Sequence, residues 1–201
     1  MNELSTNHPL FSIGHSTHSL PIFLSLLQKH SLQAIADVRS IPYSRFNPQF
    51  NRENLARFLE SNSIRYVYLG EELGAKHIEN CRTKTGLLRY RHVLKSPIYQ
   101  KGIQRIVKGN GKYRLALMCA EHDPVVCHRT ILLCRSLKEL IDPIWHILRN
   151  GQLESLNSVE NRLLKMCQQD SSNLFCPSEE MIEQAYDIHF AEMAGELNSD
   201  E

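Results

Sequence analysis

No two cysteines of this chain stand in a C-x-x-C pair, which excludes zinc-ribbon and thioredoxin-type motifs. No apolar run approaches the roughly 18 residues a bilayer-spanning helix needs, so no membrane partner is expected. Residues Met1 to His8 lack the basic and apolar regions of a signal peptide. The expectation is a soluble cytoplasmic protein whose six cysteines stay reduced rather than forming a disulfide framework. Charge of one sign is missing too: the net charge is +1 and the sequence pI about 7.7. The whole molecule therefore has no positive field of the size nucleic-acid binding requires. Neither an internal repeat nor a low-complexity segment interrupts it.

What is present is one core's worth of apolar residues. With 201 residues and 42% hydrophobic content, a single domain is expected over 1–201, its core at about 10–150 and a C-terminal helical extension at 151–195. Short apolar runs read as strands at 10–13, 34–38, 64–69, 113–118 and 144–148. Helical spacing follows Ser19-Leu20-Pro21, Asn51 and Ile98, with Ser19 and Asn51 as caps. The segment 70–91, polar and containing glycine, reads as an irregular loop or lid. Strands alternating with helices predict an α/β fold: a three-layer α/β/α sandwich on a mostly parallel sheet of about five strands, with C-terminal helices packed on it.

The reactive side chains fall just after these strands, where open α/β sheets bind ligands. Gly14, His15 and Ser16 follow the first strand; Gly allows backbone to approach a ligand closely. Asp37 and Arg39 mark the second, and Asp37 inside an apolar run needs a partner, since burying a lone carboxylate costs several kcal/mol. Tyr68 ends the third strand. The fourth delivers Cys119 and Glu121, and a short turn later come Cys127, His128 and Arg129 at an expected helix start, which favours anions. The loop carrying Arg39, Arg45, Asn47, Gln49 and Asn51 interleaves donors with Phe46 and Phe50, a pattern suited to phosphates and a stacked base.

The leading reading is a pocketed protein, plausibly an enzyme, that takes a small anionic, nucleotide-like ligand. In it His15 and His128 are acid/base groups, Glu121 orients or deprotonates, and Cys119 is a nucleophile candidate. Gly14, Ser16, Asp37, Arg39, Arg45, Asn47, Gln49, Tyr68, Cys127 and Arg129 bind the ligand, and no metal ligand is assigned. A phosphatase-type Cys-x5-Arg loop is excluded, because Val125 and Leu133 occupy the positions where arginine would stand. Two alternatives remain open: a nucleic-acid-binding module using the 39–52 loop, and a zinc- or iron-dependent protein using Cys119, Cys127 and His128. No cofactor or oligomeric state is named by these residues.

Several of these segments, taken in order, resemble one family. They are Ile13-Gly14-His15-Ser16, Asp37-Val38-Arg39-Ser40 with Pro42, Asn47-Pro48-Gln49-Phe50-Asn51, Tyr66-Val67-Tyr68-Leu69 and Leu73-Gly74. Met118-Cys119-Ala120-Glu121, Pro124, Cys127-His128-Arg129, His146-Ile147 and the helix around Glu183, Ala185 and Tyr186 complete the set. Together they resemble the bacterial and archaeal family known as domain of unknown function 488. The resemblance implies an α/β sandwich on a parallel sheet and implies no activity. The stretch from Glu71 to Arg91 is longer and more polar than the family pattern leads one to expect.

Overall fold

A computed structural model of the chain describes residues 8–75, 90–167 and 179–196. Its centre is a six-stranded sheet ordered β3-β2-β4-β1-β5-β6. The strands are β1 (Leu10–Gly14), β2 (Ala34–Asp37), β3 (Arg65–Tyr68), β4 (Leu115–Cys119), β5 (Ile144–Ile147) and β6 (Leu153–Ser155). All pairings are parallel except β5 with β6. Strands β1, β2 and β4 are buried along their whole length, as expected of central parallel strands covered on both faces. That burial is why their sequences are continuous apolar runs rather than alternating ones.

Each helix starts where the local chemistry favours it. The Ser19 hydroxyl accepts from the Ile22 amide at the start of α1 (Leu20–Lys29), with Pro21 in the first turn. Asn51 stands at the cap position of α2 (Arg52–Ser61), but its side-chain oxygen accepts from the Ser44 amide rather than from the helix. Ser155 likewise accepts from Ser158 ahead of α7 (Leu156–Met166). Between them lie α3 (Gly70–Leu73), α4 (Tyr90–Leu94), α5 (Pro97–Asn110) and α6 (Arg135–Leu137), and α8 (Glu179–Glu196) follows.

The apolar side chains form two clusters. Phe11, Ile13, Ile35, Ala116 and Met118 pack with Phe23 and Leu27 of α1 and Leu55 and Leu59 of α2. Leu10, Ala34, Leu115 and Leu117 pack with Ile103 and Ile106 of α5, Leu163 of α7 and Tyr186 of α8. The chain therefore steps outward from β1 to β3 with helices on one face, then returns through β4 to β5 with helices on the other. Right-handed crossovers require that exchange of faces when the direction of winding reverses. Strand β4 lies between β1 and β2 while its following connection leaves on the opposite face. This opens a crevice at the carboxyl ends of the three strands.

Three expectations change. The sheet has a sixth strand, β6, a three-residue polar edge (Leu153-Glu154-Ser155) too short to show a period. The 70–91 segment opens with the helix α3 instead of a loop, because Leu73 is drawn into the core; residues 76–89 lie outside the described part. The stretch after Cys127 is not a plain α-helix start: a π-helical turn, Arg129–Cys134, precedes α6.

Candidate functional site

Four side chains with metal-ligating atoms meet where β4 ends. Cys119 is the last residue of β4, Glu121 stands in the turn beyond it, and Cys127 and His128 lead into the π-helical turn. The Glu121 carboxylate, through Oε2, accepts from the Cys119 thiol at 2.6 Å and the Cys127 thiol at 3.0 Å. The His128 ring presents Nδ1 to the same sulfurs, 3.5 Å from Cys119 and 3.9 Å from Cys127. Its Nε2 lies 3.1 Å from the Val38 carbonyl. A carbonyl only accepts, so Nε2 carries a proton; in the neutral ring Nδ1 is then the lone pair, and it faces the two sulfurs. One ligand atom from each of the four residues lies within 4.8 Å of every other.

Cys119, Cys127 and His128 are buried; Glu121 is exposed as a residue, but its carboxylate turns inward onto the two thiols. Burial disfavours the Glu121 carboxylate, but the two thiols that donate to it outweigh that and hold its pKa at about 2. Burial pushes the Cys127 thiol well up, and its bond to Cys119 adds to the effect. In this arrangement two thiols solvate one carboxylate.

A second group lies against this one. Asp37 is fully buried and accepts from Arg39 at both oxygens, 2.9 Å from Nε and 2.6 Å from Nη2, and from the Tyr66 hydroxyl at 2.6 Å. Arg39 also donates through Nη2 to the Phe50 carbonyl and through Nη1 to His15 Nε2. His15 gives its Nδ1 proton to the Ser16 carbonyl and stacks on the Phe50 ring at 4.3 Å. Burial, then the neighbouring Arg39 charge, lowers the His15 pKa to about 4. The ring is therefore a fixed neutral acceptor with both nitrogens engaged. The two groups share backbone: the His15 amide donates to the Cys119 carbonyl at 2.9 Å.

The structure brings Gly14, His15, Asp37, Arg39, Cys119, Glu121, Cys127, His128 and Arg129 to one sheet edge, but it gives several of them tasks other than ligand binding. Arg129 is fully buried, donating to the Glu121 carbonyl at 2.7 Å, the His122 carbonyl at 3.4 Å and the Ser12 hydroxyl at 3.2 Å. It braces the 121–122 turn from behind and presents no fork to solvent. Asp37 and Arg39 neutralise one another inside the molecule. Gly14 is needed because a Cβ there would sit 1.7 Å from the Glu121 carbonyl oxygen, so the close approach is to backbone. Ser16 has φ 48° and donates its amide to the Ala120 carbonyl.

The loop residues are more dispersed. Gln49 donates to the His18 carbonyl, the Asn47 amide to Ser44, and the Tyr68 hydroxyl to the Ser40 carbonyl. Arg45 is exposed.

Tyr66, Val38, Ser12 and His146 were not legible as site residues, and the sequence pattern casts Phe50 as a base-stacking aromatic rather than as the support of His15. Tyr66 reaches Asp37 diagonally from beside Ile35, although the register with β2 sets Tyr68 opposite Asp37; the Tyr68 hydroxyl goes to the Ser40 carbonyl instead. Phe50 supports His15 from a remote turn. The Val38 carbonyl orients His128 and leaves no trace in a side-chain pattern. Ser12 and His146, on neighbouring strands, form a buried pair at 2.7 Å that anchors Arg129.

Comparison with curated proteins and with solved structures returned no match. The profile of one family, a domain of unknown function designated DUF488, matches residues 19–135. The match takes in Asp37, Arg39, Tyr66 and the whole Cys119–Arg129 stretch. The first strand with His15, and the His146 and Glu183 segments, fall outside it. The chain belongs to the DUF488 family.

Proposed function

We propose that this protein is a metal-binding protein that holds a zinc-class divalent ion with Cys119, Cys127, His128 and Glu121. One observation carries the reading: two thiols, an imidazole lone pair and a carboxylate, from two segments of chain, converge within 4.8 Å. Bonds of about 2.0–2.3 Å in a tetrahedral zinc site separate its ligand atoms by about 3.3–3.8 Å. The His128–Cys119 separation of 3.5 Å lies in that range and the His128–Cys127 separation of 3.9 Å just beyond it. The Glu121 oxygen, hydrogen-bonded at 2.6 and 3.0 Å, would have to move outward from the sulfurs to join an ion. Two sulfurs and a nitrogen favour zinc-like ions over magnesium or calcium. The Val38 carbonyl does what the outer partner of a metal-bound histidine does, fixing tautomer and ring plane. A bound dication would also replace the protons that Cys127 otherwise retains.

Purified chain should carry one zinc ion by elemental analysis, and a Cys119→Ser/Cys127→Ser variant should carry none. Equal metal content in the two proteins, each loaded with zinc and desalted, would overturn the reading.

A second reading concerns what approaches this centre. Glu121 is its solvent-side corner and the ligand an incoming anion would displace. The loop leaving β2 at the same sheet edge carries the exposed Arg45 and a Phe46 that is 95% exposed. An exposed aromatic beside a cation suits a small anionic, nucleotide-like ligand better than a long nucleic acid, given the near-zero net charge. Titration with a mononucleotide and with a single-stranded oligonucleotide should give saturable binding of the first, weakened in Phe46→Ala. Binding of the oligonucleotide alone, with steep salt dependence, would replace this reading by a nucleic-acid one.

A further inference from the structure

Away from the metal cluster, the sheet face opposite α1 and α2 leaves a recess at its β3 edge, floored by the buried side chains of Ala34, Ala36, Leu69, Ile106 and Leu115. Between α5 and strands β2, β3 and β4 lies a hollow of about 420 Å³, within the size range of small-molecule sites. Its origin is in the sequence. The side chains that would fill the space between sheet and helix are small: Ala34 and Ala36 on β2 and Gly109 on α5. A Cβ on Gly109 would meet nothing nearer than Leu115 Cδ2 at 3.6 Å, an ordinary contact. Val67, Leu69, Ile106 and Leu115 supply the rest of the apolar lining. Strand β3 is the sheet edge, so the hollow opens to solvent there, and Val67 is 38% exposed.

The border of the hollow has one sign of charge. Arg65, Arg105, Lys108 and Lys112 line it, and no carboxylate among the described residues does. Arg105 is ion-paired with Glu72 outside it. The Arg65 guanidinium lies over the Tyr113 ring at 5.1 Å. Lys108 and Lys112 are exposed. Long cationic side chains can lay their methylenes along an apolar wall while their heads stay in water.

An apolar chamber with a cationic mouth selects an apolar chain that ends in an anion. We propose that this hollow binds a free single-chain amphiphile with a phosphate head, an alkyl phosphate. Its chain lies on Ala34, Ala36, Val67 and Ile106, and its phosphate sits among Arg65, Lys108 and Lys112. Burial of the chain supplies affinity in proportion to apolar area, and the arginine and lysine donors match a phosphate. Apart from Tyr113 and the cations at its border, the lining is aliphatic and offers no side-chain hydrogen bonds to a sugar or a base, which sets this site apart from the one beside β4.

Calorimetric titration of the full chain with decyl phosphate, below its micellar concentration, tests this. Decyl phosphate should bind saturably at one site, decanol about tenfold more weakly, and inorganic phosphate not measurably. Gly109→Leu fills the chamber from a helical position with room for it and should abolish binding while the protein keeps its thermal midpoint. Lys108→Glu/Lys112→Glu should weaken binding about tenfold. If Gly109→Leu fails to fold, Val67→Glu, at an exposed edge position, takes its place and should also abolish binding. Unchanged affinity in the folded chamber variant, equal affinity for decanol, or binding confined to anionic vesicles would each overturn the proposal.

Discussion

Asp37 and Arg129 are two charged residues in apolar surroundings, and each is held by a different device. Asp37 is neutralised by a bidentate arginine two residues away, with Tyr66 as third donor. Removing the carboxylate leaves Arg39 buried with its partner gone, so Asp37→Ala should cost about 3–5 kcal/mol in denaturant unfolding. A loss under about 0.5 kcal/mol, as for a surface site, would show the pair to be dispensable. Adding Arg39→Ala should recover part of the loss. Among the described residues no carboxylate lies within hydrogen-bond reach of Arg129, which is satisfied by two backbone carbonyls and a hydroxyl.

The histidine beneath Arg129 makes stability depend on pH. Burial, and then the Arg129 charge, lowers the His146 pKa to about 3. Between pH 6.5 and about 3 the unfolded chain takes up a proton that the native protein refuses. The contribution is therefore complete above pH 6.5 and is lost as pH falls. From pH 7 to pH 5 this residue should account for about 2 kcal/mol of destabilisation. His146→Leu should lose that much less over the same interval in urea titrations, and an unchanged pH slope would refute the assignment. His15, lowered for the same main reason, is untouched by that variant.

Among the elements, the β4–π-turn connection depends on its neighbours for its shape. The Glu121 carbonyl lies where a side chain on Gly14 would be, so β1 and the turn after β4 are in backbone contact. Gly14→Ala must push that turn outward and carry the Glu121 carboxylate off the thiols. Zinc affinity should fall about 10–100-fold, the usual effect of disturbing a metal ligand's support, while the circular dichroism of the sheet and helices persists. Retention of full affinity would mean that the turn is not positioned by this contact. The C-terminal helix α8 is attached differently, by ion pairs. Buried Arg135 bonds Glu183 and Asp187 at 2.6 and 2.7 Å, and Lys138 reaches Glu160 and Glu179. Arg135→Ala removes the buried cation that ties the part-exposed Glu183 and Asp187 to the body of the protein. Faster hydrogen exchange confined to α8 is the expected result, and unaltered exchange would place the attachment in the Tyr186 and Phe190 contacts instead.

At the scale of the molecule, an ion at the cluster would link the β4 turn to the π-helical turn and so stabilise the native state by mass action. At a free zinc concentration 100 times the dissociation constant the gain is about 2.7 kcal/mol, which should raise the thermal midpoint and vanish with a chelator. Chelation without any change in midpoint would separate metal binding from stability. Among the described residues no helix is long and apolar enough to cross a membrane, in line with the short apolar runs of the sequence. Five strands could be identified: β1, β2 and β4 as apolar runs, because parallel strands buried on both faces are apolar throughout, and the edge strand β3 by its alternating, β-branched character. They also placed Cys119, Glu121, Cys127 and His128 at a strand end, because a parallel sheet sends its connections there. The strand order, the sixth strand, the roles of Tyr66 and Val38, and the inward turn of Arg129 could not be read the same way. Each depends on which distant residues become neighbours, and a local pattern of residue types carries no information about that. The sequence by itself determined a layered α/β chain with reactive groups after its strands. Tertiary structure alone decided which of those groups satisfy one another in the interior and which four point their ligand atoms at a common centre, since that choice follows from register and crossover rather than from spacing along the chain.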